Sequence, residues 1–238
     1  MEVRVVVEYN ENGTLIYADN FPGAYTRGKN IEEALKKVPE EITRYLVWLE
    51  QIKVSKEDIS VIIVQEQKSD LNICDADSDI LFNTEREKLS WKEYERLKRL
   101  AIKSAEDFQK LYDSIPNKTA TSLKPRKTFY GMIPLTAEEM YIHTKNVNNY
   151  YFREIHIDAV NEPDIVTCRK MAFDELEKQE DFLENKVYLG SYDEEWSLRK
   201  VCRRFVWHDR IHAKAMYKMA GKLCGFHNIE NPFVFKVG

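Results

Sequence analysis

Two histidines four residues apart, His208 and His212, stand in the run Val206-Trp207-His208-Asp209-Arg210-Ile211-His212-Ala213-Lys214-Ala215. On a helix this spacing puts both imidazoles on one face, which is what a shared metal ion needs. Val201, Phe205, His208, His212, Ala215 and Met219 follow one another at intervals of 4, 3, 4, 3 and 4, a seam expected to face the interior. Buried imidazoles cost free energy unless partnered, and one metal satisfies both. The third ligand is expected from another helix. His143 fits, because Met140, His143, Val147 and Tyr150 again run at 3 and 4 spacing behind a capping box of Thr136 and Glu139. His156 and His227 read as cap or loop residues. Three neutral imidazoles with open positions suit Zn²⁺ or Ni²⁺. Such a Lewis acid lowers the pKa of water toward ~7 or favours a thiol as thiolate.

Neighbouring groups carry weaker signals. Asp209 makes the pair read H-D-x-x-H, one methylene short of the zinc-peptidase H-E-x-x-H. It lies about 100° round the helix from His208 and has a shorter reach, so pairing with an Arg or a place on the surface is expected instead of general-base work. A peptidase would also take its third ligand downstream, where His227 and Glu230 fall beyond the helix. Tyr150 reads as packing, and Arg203 and Arg204 as a solvated face.

The elements that must position these residues form two groups. Val3, Val5 and Val7 alternate in a first strand, and Thr14 to Ala18 form a second after the turn Asn10-Glu11-Asn12-Gly13. A short extended piece follows Phe21-Pro22-Gly23-Ala24-Tyr25. A helix capped by Asn30 carries Ile31, Ala34, Leu35, Val38, Ile42, Tyr45, Leu46 and Leu49 inward, with a kink expected at Pro39. A last strand spans 59–65. From Thr84 onward four helical patterns run over about 84–114, 136–156, 164–186 and 192–223, the last opened by Ser191 and Glu194. Between the groups, 67–83 reads as an acidic, solvated linker. Its Asp75-Ala76-Asp77-Ser78-Asp79 imitates an EF-hand opening, but Ile80 stands where Gly is needed and Arg86 where Glu is needed. The expected fold class is therefore α+β: a small strand-and-helix unit (1–66), the linker (67–83) and an all-α four-helix bundle (84–238).

The chain has 238 residues, 43% hydrophobic and 32% charged, enough for one large core or two modest ones. No basic, apolar N-terminal leader and no run approaching 18 apolar residues is present, so a cytoplasmic protein without membrane contact is expected. Cys74, Cys168, Cys202 and Cys224 are widely spaced, which predicts reduced thiols, mostly in the core. Residues 1–80 hold 9 Lys+Arg against 16 Asp+Glu, net −7, and the remainder 27 against 24, net +3. The acidic first half should repel nucleic acid and suits a basic protein partner.

The first unit resembles the HicB-like module of antitoxins, a ββ(β)αβ domain, over roughly 3–66. The matching residues are Glu11-Asn12-Gly13-Thr14, Asn20-Phe21-Pro22-Gly23-Ala24-Tyr25-Thr26-Arg27-Gly28 and Asn30-Ile31-Glu32-Glu33-Ala34-Leu35. No helix-turn-helix or ribbon-helix-helix segment is appended, which argues against operator binding. The second unit resembles the DinB/YfiT-like family, whose members carry one His on the second helix and H-x-x-x-H on the fourth. His143, His208 and His212 match those positions. The Trp196-Ser197-Leu198-Arg199 entry and the 221–232 tail are similar as well, whereas the frequent H-R-G-Q reads here His212-Ala213-Lys214-Ala215. The resemblance implies a metal-dependent enzyme that transfers a low-molecular-weight thiol to an electrophile, or hydrolyses a small substrate, with the first unit serving dimerisation or regulation. The alternative expectation is a noncatalytic, antitoxin-like interaction protein with a structural metal.

Overall fold

The computed structural model describes residues 1–50, 55–128 and 131–236. Strands β1 (Glu2–Asn10), β2 (Gly13–Ala18), β3 (Tyr25–Gly28) and β4 (Ser60–Lys68) form one sheet in the order β3-β2-β1-β4. The tight turn joining β1 to β2 makes that pair antiparallel, whereas β4 returns after a helical crossover and runs parallel to β1. Alternation sorts the side chains: Val3, Val5, Val7, Ile16 and Ala18 face the helices of the crossover, and Val6, Leu15 and Tyr17 face the other way. Edge strand β4 keeps Ile62, Ile63 and Val64 exposed.

The crossover is two helices, α1 (Ile31–Leu35) and α2 (Val38–Trp48), where one kinked helix was expected. Pro39 sits in the first turn of α2. There its missing N–H costs nothing, so the proline starts a helix instead of bending one. Asn30 caps α1 by accepting from the Glu33 N–H, as its type and spacing predict.

The bundle helices are α3 (Trp91–Ser114), α4 (Ala137–Arg153), α5 (Ile165–Leu176) and α6 (Leu198–Cys224). The mixed α+β class is thus as expected, with boundaries that differ. A capping box of Ser90 and Glu93 starts α3 later than predicted, and the one of Thr136 and Glu139 starts α4 where predicted. Asp164 caps α5, which ends ten residues early. Ser197, not Ser191, caps α6, because 188–189 and 195–196 pair as a short ribbon that occupies the predicted first turn. No helix among the described residues is long and apolar enough to cross a membrane.

The stretch expected to be a solvated linker is largely packed. Ile73, Ile80 and Phe82 cover the second face of the sheet together with Trp207 of α6, while Leu81, Asp77 and Ser78 are buried nearby. Period-2 exposure could not be read there because the segment is irregular: its apolar residues answer to Val6, Leu15 and Tyr17 across space. On the opposite face, residues of β1, α2, α3, α4, α5 and α6 contribute to one continuous apolar core.

The basic residues of α6 reach across to this sheet unit. Arg203 pairs with Glu85 and bonds the Ile80 carbonyl, and Arg204 donates to the Ser78 carbonyl. Lys200 donates to the Asp79 carbonyl and Arg210 pairs with Glu41. The expected solvated face at Arg203 and Arg204 is therefore an internal seam: Arg203 is buried, and its guanidinium lies 3.9 Å from the centre of the Phe82 ring. Part of the acidic charge of the first half is met by the chain's own cations.

Candidate metal centre

The long amphipathic helix α6 presents His208 and His212 one turn apart, and α4 brings His143 against them. One ligand nitrogen from each can be chosen so that all three lie within 4.8 Å of one another. The His143 and His208 Nε2 atoms are 3.2 Å apart, and the ring centres are separated by 5.0 Å (143–208), 4.6 Å (143–212) and 4.4 Å (208–212). Nitrogens bound to one tetrahedral ion lie roughly 3.3 Å apart, so the closest pair is already at that spacing. The predicted trio is brought together.

The trio sits at the edge of the bundle rather than deep within it. His208 is buried, His212 half-buried and His143 exposed. The expected seam of α4 is rotated by about one residue: Met140, Thr144, Asn148, Tyr151 and Phe152 are the buried face, with Val147 and Tyr150 flanking it. On α6, Ala215 is exposed although its spacing placed it on the seam. Both departures arise because periodicity locates an apolar arc but not its edges, which depend on where neighbouring helices stop covering it.

Desolvation keeps these imidazoles neutral, the form in which they ligate. Burial takes His208 well below its usual 6.5, with further lowering by His212, His143, Arg204 and Arg169. Burial, then His143, takes His212 down to about 3, and desolvation lowers His143 in the same direction. No carboxylate or thiol joins the trio among the described residues. The Nδ1 of His208 is buried without a hydrogen-bond partner. Three crowded, neutral nitrogens with no acidic partner are suited to a divalent transition metal.

Other candidates are accounted for elsewhere. Glu139 closes its capping box, accepting from the Leu135 and Thr136 N–H groups. His156, at φ 63°, follows the end of α4 and packs on Tyr188, and His227 lies in a short turn after α6, both as expected. All four cysteines are free, with Cys168 and Cys202 buried. Asp209 is buried, not at the surface. It receives two bonds from Arg169, of 2.5 and 3.2 Å, and Arg169 also donates to the Ala101 carbonyl and stacks 4.1 Å from the Phe205 ring centre. Burial raises the Asp209 pKa against the lowering by Arg169. The carboxylate ties α6 to α5 and α3 and is occupied in doing so. Arg169 could not be identified from spacing, since nothing local relates positions 169 and 209.

Further along α4 from His143 lies a set of residues of which the sequence had singled out only Tyr150, as packing. Asn146, Asn149, Tyr150, Arg153, Glu154 and Asn161 line a polar groove of about 520 Å³ with Gly190 and Ser191. A signal existed: 143, 146, 150 and 153 repeat at 3, 4 and 3, the spacing that singled out His143. In comparisons of the chain with known proteins, no family model, no curated protein and no solved structure matches it.

Proposed function

We propose that this protein is a metal-dependent enzyme of the DinB-like kind, in which His143, His208 and His212 hold Zn²⁺ or Ni²⁺ and a low-molecular-weight thiol is transferred to an electrophile. Hydrolysis of a small substrate is the other reaction open to the same centre. The observation that carries the reading is the convergence of three neutral imidazoles, one of them exposed, with no fourth protein ligand beside them among the described residues. A structural site is normally closed by four protein ligands, whereas a catalytic site keeps a position for substrate. The bound ion supplies Lewis acidity that favours the anionic form of a water or thiol. The chain's own part is to hold the imidazoles neutral, to seat His208 by packing against Tyr151 and Trp207, and to admit substrate on the His143 side. The HicB-like unit is assigned regulation or dimerisation, with a basic protein as the alternative partner of its acidic surface.

A second reading, a noncatalytic interaction protein with a structural metal, draws on the exposed apolar edge strand β4. Metal analysis and cobalt substitution separate the two. We expect about one divalent ion per chain, lost in each of the His143→Ala, His208→Ala and His212→Ala variants. A thiolate charge-transfer band should appear when 2-mercaptoethanol is added to the cobalt form. Metal retained in all three variants refutes the site, and a cobalt spectrum indifferent to thiols favours the structural reading.

A further inference from the structure

Where the Phe21-Pro22-Gly23 turn and α2 meet α3, a pocket of about 310 Å³ opens between the sheet unit and the bundle. Small-molecule sites favour such junctions, and they occupy roughly 300–1,000 Å³. His143, His208 and His212 are not among its lining residues. Its floor is apolar, made by Phe21, Pro22, Tyr45, Leu49 and Leu100. The floor is also fixed. The Tyr45 hydroxyl donates to the Pro22 carbonyl at 2.7 Å, and the Phe21 ring meets the Tyr45 ring edgewise with centres 6.0 Å apart. Asn20 holds the entry to the turn, accepting from the Arg4 N–H and donating to the Glu2 carbonyl.

One wall carries charge of a single sign. Arg96, Arg99 and Lys103 project from one face of α3 at spacings of 3 and 4, spanning about 10 Å of its axis. No carboxylate lines the pocket among the described residues. The three cations differ in how the fold engages them. Lys103 is held by Asp107 at 3.0 Å, and that carboxylate also accepts from the Trp48 indole at 2.6 Å. Arg99 reaches Glu95 only at 3.5 Å, an exposed pair that contributes little. The Arg96 side chain forms no hydrogen bond or ion pair among the described residues.

We infer that this pocket binds an aromatic monocarboxylate, with its ring on the apolar floor beside Phe21 and its carboxylate against Arg96, Arg99 adding to the field. A single unengaged guanidinium matches a single negative charge, and its planar fork fits a carboxylate through two charge-assisted hydrogen bonds. The ring supplies what a bare anion lacks: it removes apolar surface from water, on a floor already held in shape, so little ordering opposes binding. The site is separate from the histidine centre and needs no metal.

The test titrates 1-naphthoate calorimetrically into the full-length protein. We expect binding to the wild type, weakened about tenfold or more by Arg96→Ala, less by Arg99→Ala, and partly restored by Arg96→Lys. The neutral analogue 1-naphthalenemethanol and the bare anion acetate should each bind about tenfold more weakly than 1-naphthoate, or worse. Arg96 is exposed, so Arg96→Ala should unfold at the wild-type temperature, which separates a lost contact from a lost fold. No binding, equal affinity in Arg96→Ala, or equal affinity for the neutral analogue overturns the proposal. A carboxylate can also ligate a metal at the histidines, so His143→Ala is titrated in parallel. Undiminished affinity in that variant upholds the pocket. Affinity lost in His143→Ala and kept in Arg96→Ala assigns the anion to the histidine centre and overturns it.

Discussion

Individual side chains divide into those the centre uses and those the scaffold uses. Asp209 belongs to the second group: its bidentate partner Arg169 is fully buried, as it is itself. Removing one member of such a pair strands a charge, so Asp209→Ala should lose about 3–5 kcal/mol by denaturant titration. The double variant Asp209→Leu/Arg169→Met should recover most of it. An Asp209→Ala protein of undiminished stability would return Asp209 to the list of candidate bases. Glu8 gives a second prediction. It is buried beside Ser78 and Asp79, and burial raises its pKa from 4.5 to about 7. The unfolded chain loses this proton near 4.5 and the folded chain near 7, so stability is full below 4.5 and falls as pH rises through that window. Glu8→Gln should match the wild type near pH 4 and exceed it by about 3 kcal/mol at pH 8. A wild-type slope persisting in Glu8→Gln would show that another group is responsible.

Among the elements, the turn before β3 and helix α6 are fitted to one another. Gly23 has φ 88°, which L side chains rarely adopt, and a Cβ there would run into Val206 and the backbone of Trp207. The Phe-Pro-Gly turn therefore rests on α6 at the two residues before His208. Gly23→Ala combines backbone strain with overpacking and should cost about 2 kcal/mol or more in thermal or denaturant unfolding. Unchanged stability would mean that the turn does not press on α6. The shape of this turn was legible from residue types alone, whereas its docking partner was not.

Across the whole molecule, one apolar core joins residues of the sheet unit to residues of all four bundle helices. Trp207, the residue before His208, stacks edgewise on Tyr17 at 6.0 Å and Tyr25 at 6.3 Å. Buried ion pairs of Arg203 and Arg210 reinforce the same seam. The full chain should accordingly unfold in a single calorimetric transition. Trp207→Ala should lower that one transition, at a cost of about 3–5 kcal/mol, without splitting it. Two separated transitions in either protein would show that the halves fold independently.

The histidine spacing, the Thr136 and Asn30 caps, the alternating valines and the helical identity of α3 to α6 were all determined by the sequence itself. Each depends on hydrogen bonds or periodicities spanning four residues or fewer. The tertiary structure alone decided that His143 lies at the exposed edge of α4 and that Arg169 neutralises Asp209. It also decided that residues 73–82 cover the sheet and that the α6 arginines face inward. These outcomes depend on groups far apart in the chain, such as the 118 positions between Glu85 and Arg203. An arginine on a helix reads as solvated until the fold brings it a carboxylate and a ring, and only then is its burial compensated.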